Sequence, residues 1–347
     1  MYKLEDYKKE INKCSKCGLC QSVCPIYRET GNDCAVSRGK FVMLDGVLKG
    51  DLELNKNINK YLDLCLKCGK CQNFCPSSID ICKIFETAKY QYAKKTFWGK
   101  LIFFLQSRFV FNNIIKILHM IFSRKVNYKT QKGLKLLYFK GCVNNIIENK
   151  FIEKIPNIEI IEKDFECCGI PFLSSGNLER FDEVKNHNLK LMECDYDYIF
   201  TDCASCESVL KSYANSKFIN LGELVVRQNM KFRFSKPIRV TFHKPCHLEN
   251  VDFVEKLFKN CENVEYIEMK DFDSCCGFAG EFAIKNPKLS KIISDKKAKN
   301  IIDANVDYVI TTCPSCLIGL KKGLFGHKHA HKVLDLGKFL NEAELIL

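Results

Sequence analysis

The stretch "CLKCGKCQNFCPSS", residues 65–78, places thiols at intervals of two, two and three residues and then a proline. A near copy, "CSKCGLCQSVCPIY", occupies residues 14–27. Reading the fold turns on why this pattern occurs twice. Proline removes a backbone donor and stops the turn that the cysteines share.

Three thiols this close on a tight turn suit three irons of one cubane. The fourth comes too late to reach the same cube, and in two-cluster ferredoxins it ligates the other one. Doubling then follows, because each motif completes its neighbour's site. This assigns Cys14, Cys17, Cys20 and Cys75 to one [4Fe-4S] cluster and Cys65, Cys68, Cys71 and Cys24 to a second. Structural zinc is the competing reading, but zinc sites space two CxxC pairs more widely.

The chain has 347 residues and 22 cysteines. Its start, "MYKLEDYKKEINKC", lacks the apolar h-region of an export signal, so a cytoplasmic protein with reduced, metal-binding thiols is expected. The formal charge is +13. Between Lys83 and Lys135 twelve Lys or Arg face a single acid, Glu86, a local excess of +11. No nucleic-acid motif accompanies it, so a membrane surface or an acidic partner is expected rather than nucleic acid.

Residues 134–347 form a tandem repeat. "LKLLYFKGC" (134–142) is answered by "IRVTFHKPC" (238–246), "NIEIIEKDFECCG" (157–169) by "NVEYIEMKDFDSCCG" (263–277), and "DYDYIFTDCASC" (195–206) by "NVDYVITTCPSC" (305–316). "KLLYF" and "YIFTD" read as buried strands, and "SVLKSYA" as a helix start. The expected fold is mixed α+β: an N-terminal α-helical dicluster ferredoxin module, then two tandem α/β cysteine-rich domains with mainly parallel sheets. Expected boundaries are 1–90 for the ferredoxin-like module, 91–132 for a basic amphipathic linker, and 133–230 and 231–347 for the two repeats. Helical spacing over the "SRGKFVML" segment looks broken at Gly46 and Gly50. In residues 97–122 uncharged runs reach only seven residues, too short to span a bilayer, so an amphipathic helix lying on a surface or packing internally is expected.

Each repeat carries Cys…Cys-Cys-Gly…Cys-x2-Cys. The first site offers Cys142, Cys167, Cys168, Cys203 and Cys206; the second offers Cys246, Cys275, Cys276, Cys313 and Cys316. Five thiols exceed what one tetrahedral metal or one ordinary cubane needs, although zinc held by four of them stays open for either site. Gly169 and Gly277 let the backbone turn tightly after the paired cysteines. His243 and His247 flank Cys246 and are candidate proton donors. Cys34, Cys82, Cys194 and Cys261 read as packing residues.

These doubled motifs, with "CPIYRE", "HKPCHL" and "CCGFAGEF", resemble a known family. The repeats resemble the cysteine-rich (CCG) domains of heterodisulfide reductase catalytic subunits. The whole chain from Cys14 to Leu340 looks like the glycolate oxidase iron–sulfur subunits, whose relatives serve anaerobic glycerol-3-phosphate dehydrogenase and lactate utilisation. The resemblance implies one or two noncubane [4Fe-4S] clusters in the CCG domains. It implies an FAD-dependent dehydrogenase partner acting on a 2-hydroxy acid such as glycolate or lactate, or on glycerol 3-phosphate. The implied acceptor is the quinone pool, which a basic amphipathic face at the inner side of the cytoplasmic membrane would serve. The alternative is a catalytic subunit cleaving a disulfide at a noncubane cluster. Two departures stand out: the gaps between the first cysteine and the cysteine pair look shorter than in heterodisulfide reductases, and the basic apolar segment has no evident counterpart.

Overall fold

The computed structural model describes residues 2–122, 132–143, 150–327 and 333–346. The last part of the expected linker, residues 123–131, lies outside them. The N-terminal part is helical: α1 (Lys8–Asn12), α2 (Leu19–Val23), α3 (Pro25–Thr30), α4 (Ser37–Lys49), α5 (Lys56–Asp63), α6 (Lys70–Asn73), α7 (Ile81–Lys95), α8 (Phe97–Leu105) and α9 (Arg108–Phe122). The first repeat follows as β1 (Leu134–Tyr138), β2 (Ile158–Glu162), α10 (Ile170–Ser175), α11 (Leu178–Leu191), β3 (Tyr198–Thr201), α12 (Ala204–Lys211), β4 (Phe218–Asn220) and α13 (Leu221–Arg227). The second is β5 (Lys231–Phe242), α14 (Phe253–Lys259), β6 (Cys261–Tyr266), α15 (Glu281–Lys285), α16 (Pro287–Asp303), β7 (Tyr308–Thr311), α17 (Pro314–Gly323), β8 (Val333–Asp335), α18 (Leu336–Asn341) and β9 (Glu344–Ile346).

The described residues form two compact units. The first holds residues 1–112 with 169–182 and 277–293, so the stretch after each Cys-Cys-Gly motif begins in the unit that contains the ferredoxin motifs. Its core gathers Leu4, Ile11, Phe41, Leu44, Ile58, Leu62, Ile84 and Phe85. Helix α4 does not break at Gly46. It runs on to Gly50, whose left-handed backbone (φ 83°) ends it. Gly46 is instead a close-approach position, because a Cβ there would lie 2.9 Å from Leu52 Cδ1. In the same unit Lys89, whose side chain is 11% exposed, pairs with Asp63 at 2.8 Å and Glu281 at 3.5 Å. Lys285 meets Asp63 at 3.0 Å. This network ties three segments far apart in sequence, and removing one partner from such a buried set leaves an uncompensated charge.

The second unit contains both sheets. The first has strand order β2-β1-β3-β4 and the second β6-β5-β7-β8, so the repeats share one topology. All four strands of the first sheet are parallel. In the second, β9 adds an antiparallel edge to the start of β5, pairing Lys231 with Ile346. Buried runs such as Leu136–Tyr138 and Ile199–Phe200 explain the parallel choice, because both sheet faces are covered. The chain reverses into helices at the C-terminal ends of the strands, and in such sheets that edge is where loops from neighbouring strands converge on ligands.

Candidate metal centres

Two clefts in the first unit collect the thiols of the ferredoxin motifs. One, of about 390 Å³, is lined by Cys14, Cys17, Cys20 and Cys75, with Cys71 on its wall. The other, of about 450 Å³, is lined by Cys24, Cys65, Cys68 and Cys71, with Cys82. Each cleft thus draws cysteines from both motifs. Pro25, following Cys24, starts α3, which turns the chain away once that thiol is placed. No carboxylate lines either cleft. An all-thiol donor set is soft and suits iron–sulfur clusters rather than hard cations. Burial pushes the Cys68 thiol up to about 11 and Cys71 up to about 12, so metal loading must displace protons there.

Two residues of the second cleft escape a reading by motif. Cys82, outside the motif, lies on its wall. Lys40, on α4, is 2% exposed and donates to the Leu64 carbonyl at 2.8 Å. It lines the same cleft as a buried cation beside the thiols. Lys40→Met should make the centre held there harder to reduce, because the added electron loses a favourable partner. The expected drop is on the order of 1–2 kcal/mol, or roughly 50–80 mV, measured by potentiometric EPR, with the other ferredoxin centre unmoved.

The ten cysteines of the repeats all lie in the second unit. Cys142 and Cys246 follow the ends of the central strands β1 and β5 by four residues, and Cys203 and Cys313 follow β3 and β7 by two. Neighbouring strands therefore deliver these thiols side by side. Cys142 Sγ lies 3.7 Å from Cys167 Sγ. Cys206 contacts Cys168, and Cys276 contacts Cys275 and Cys316. The paired cysteines are fastened from behind: Asn188, fully buried on α11, donates to the Cys167 carbonyl at 3.1 Å, and Ser294 on α16 donates to the Cys276 carbonyl at 2.8 Å. Gly169 (φ 103°) and Gly277 (φ 80°) adopt the left-handed backbone that the sharp turn after each pair requires. Gly141 leaves room in another way, since a Cβ there would sit 3.0 Å from Cys206 Sγ.

The two sites meet. The Cys203 thiol donates a hydrogen bond to that of Cys313, and Ser205 Oγ lies 3.6 Å from Cys313 Sγ. His247, half-buried, places Nδ1 3.0 Å from the same Ser205 hydroxyl. Hydrogen bonds from neighbouring thiols, Cys275 first, hold Cys276 well below the usual thiol range, and Cys203 does the same for Cys313. The reverse holds for Cys142, which the contact with Cys167 pushes up. His243 is 1% exposed, and burial lowers its affinity for a proton.

Thiols in two clefts and two further groups at sheet edges define an iron–sulfur protein. The chain belongs to the proteins that join a 4Fe-4S dicluster domain, matched over residues 10–79, to two copies of the cysteine-rich CCG domain, matched over 136–211 and 240–321. It is similar to a fumarate reductase (CoM/CoB) chain of Methanothermobacter marburgensis, 25% identical over 93% of this chain and 70% of that one. It is also similar to a Bacillus subtilis protein named "Probable glycolate oxidase iron-sulfur subunit", 22% identical over 94% of this chain and 93% of that one. A third relative is a chain of the dihydromethanophenazine:CoB–CoM heterodisulfide reductase from Methanosarcina acetivorans, 22% identical over 90% of this chain and 89% of that one. All three are named as chains of oxidoreductases, one of them as an iron–sulfur subunit, and this chain is an iron–sulfur oxidoreductase component. Among the described residues, no helix is long and apolar enough to cross a membrane.

Proposed function

We propose that this chain is the iron–sulfur electron-transfer subunit of a flavin-dependent dehydrogenase. It takes electrons from the oxidation of a small 2-hydroxy acid or of glycerol 3-phosphate and delivers them to quinone at the inner face of the cytoplasmic membrane. The observation that carries the reading is the presence of two all-thiol clefts in one unit and ten further cysteines, grouped at the ends of parallel strands, in the other. Clusters bound at such thiols supply one-electron steps. A flavin that collects two electrons needs successive single-electron acceptors of this kind. In this reading Cys14, Cys17, Cys20 and Cys75 hold one cubane, and Cys65, Cys68, Cys71 and Cys24 hold the second. The CCG cysteines hold one or two noncubane clusters, with zinc as the alternative at one site. His247, within hydrogen-bond distance of Ser205 and next in sequence to Cys246, is the candidate proton donor for quinone reduction.

A second reading has one observation in its favour. The contact between Cys203 and Cys313 brings two metal-binding sites together, which suits cleavage of a disulfide. To decide, the anaerobically loaded chain is reduced with photoreduced flavin and mixed with a short-chain quinone or with a mixed disulfide of two small thiols. Reoxidation by quinone is expected, and Cys276→Ser should abolish it while the ferredoxin centres still become reduced. Cys168→Ser should leave delivery largely intact. Reoxidation by the disulfide alone would overturn the electron-transfer reading in favour of the second.

A further inference from the structure

The two cysteine-rich domains differ at one buried position that faces the thiols. Aligning "LKLLYFKGC" with "IRVTFHKPC" sets Phe139 opposite His243. Both side chains are buried, Phe139 at 0% and His243 at 1% exposure. Phe139 answers its burial with ring packing against Phe165, at 5.0 Å between centroids. His243 is answered by a thiol, through a hydrogen bond with Cys276. Neither of its ring nitrogens meets a protein oxygen or nitrogen. Its polar neighbours are thiols: one ring nitrogen, Cys276 Sγ and Cys316 Sγ all lie within 4.8 Å of one another. A buried imidazole whose polar neighbours are thiols is placed as a metal ligand would be, so the position calls for a group that is not protein. A metal with sulfur ligands at about 2.3 Å and nitrogen at about 2.0 Å spaces its ligand atoms some ~3.5–4 Å apart, inside that limit.

We propose that His243 is an imidazole ligand of the metal centre in the second cysteine-rich domain, one that Phe139 cannot supply in the first. The inference rests on the reading that the second domain holds a metal, and it goes beyond the proton-donor role suggested by its place near Cys246. The five cysteines are the same in both domains, so the imidazole is an added neutral donor rather than a replacement for a thiolate, and the two domains then hold centres with different ligand sets.

The test uses the full chain, loaded anaerobically with iron and sulfide, with and without 15N-histidine. Pulsed EPR of the CCG centres should show a directly coordinated nitrogen whose coupling changes on 15N labelling. The coupling should be lost in His243→Phe and kept in His247→Gln. If zinc fills the site, the zinc-edge absorption should show one Zn–N shell at about 2.0 Å that His243→Phe removes. Metal bound by the second domain without a nitrogen ligand would overturn the inference and leave the functional reading standing. No metal retained by Cys246, Cys275, Cys276, Cys313 and Cys316, judged by an unchanged metal content when Cys276 and Cys316 are both replaced by serine, would overturn the reading itself. The labelled wild type keeps the test decisive even if a variant fails to fold.

Discussion

Cys75→Ser should give the spectrum of Cys17→Ser, and Cys24→Ser the spectrum of Cys68→Ser. In each pair one residue belongs to the first motif and the other to the second, yet they line the same cleft: Cys17 with Cys75, Cys68 with Cys24. Each single substitution should remove one ferredoxin-type centre, about half the iron of that unit, and leave the other intact. EPR of the reduced variants, with iron and sulfide analysis, reads the result directly. Were Cys75→Ser to match Cys68→Ser instead, each motif would hold its own centre and the crossed assignment would fall. Cys71 lines both clefts, so its replacement is the less selective probe and is expected to disturb both centres. Cys82 gives a useful control. It shares the second cleft but lies outside the motif, so Cys82→Ser should retain both centres.

Anionic vesicles should bind the protein strongly, and Trp98→Ser, Phe104→Ser and Phe109→Ser together should weaken binding by roughly 100-fold. Four aromatic side chains of α8 and the start of α9 are turned outward: Phe97, Trp98, Phe104 and Phe109 are 64–80% exposed. Further along α9, Met120 and Ile121 are exposed as well. Each aromatic side chain that enters the headgroup boundary gains about 1 kcal/mol from burial, and three together give about the stated factor. Exposed Lys95, Lys100 and Arg108 belong to a stretch with no acid between Glu86 and Glu148. Cations near an anionic surface add about 1 kcal/mol each, screened by salt. Co-sedimentation with phosphatidylglycerol vesicles should therefore fall as salt rises, and uncharged vesicles should bind far less. Equal binding to both, indifferent to salt, would rule out this surface as an electrostatic membrane contact. Phe103 is a poor site for the experiment, because it stacks on Tyr90 at 6.2 Å between ring centroids.

The sheets are readable from short apolar runs. "KLLYF" and "YIFTD" form β1 and β3 because a strand covered on both faces must be apolar throughout. The cysteine repeat marks the converging loops, since spacing is a property of sequence. What packs behind those loops is not readable. Asn188 and Ser294 lie on helices apart from the loops whose cysteines they fasten, and neither belongs to a motif. Lys40 looks like a solvated helix residue until the fold buries it beside Leu64. The apolar basic segment reads as one helix in the sequence; it is two, with Gln106 and Ser107 between α8 and α9. Gly46 misleads in the opposite direction, because a glycine inside a helix signals either a break or a close neighbour, and here Leu52 is the neighbour.

The path of the chain between the two units bears on how such a protein can be made and inherited. Residues 169–182 and 277–293 leave the repeats and belong to the first unit. Within that unit Glu281 and Lys285 complete the network around Lys89 and Asp63. A gene split after the apparent ferredoxin module would yield a fragment in which Lys89 and Asp63 keep each other but lose Glu281 and Lys285. The two halves are therefore not exchangeable cassettes. A chimera that borrows the N-terminal motifs from one relative must borrow the stretches after both Cys-Cys-Gly turns as well, and recombination within such genes would be tolerated only where all three pieces travel together.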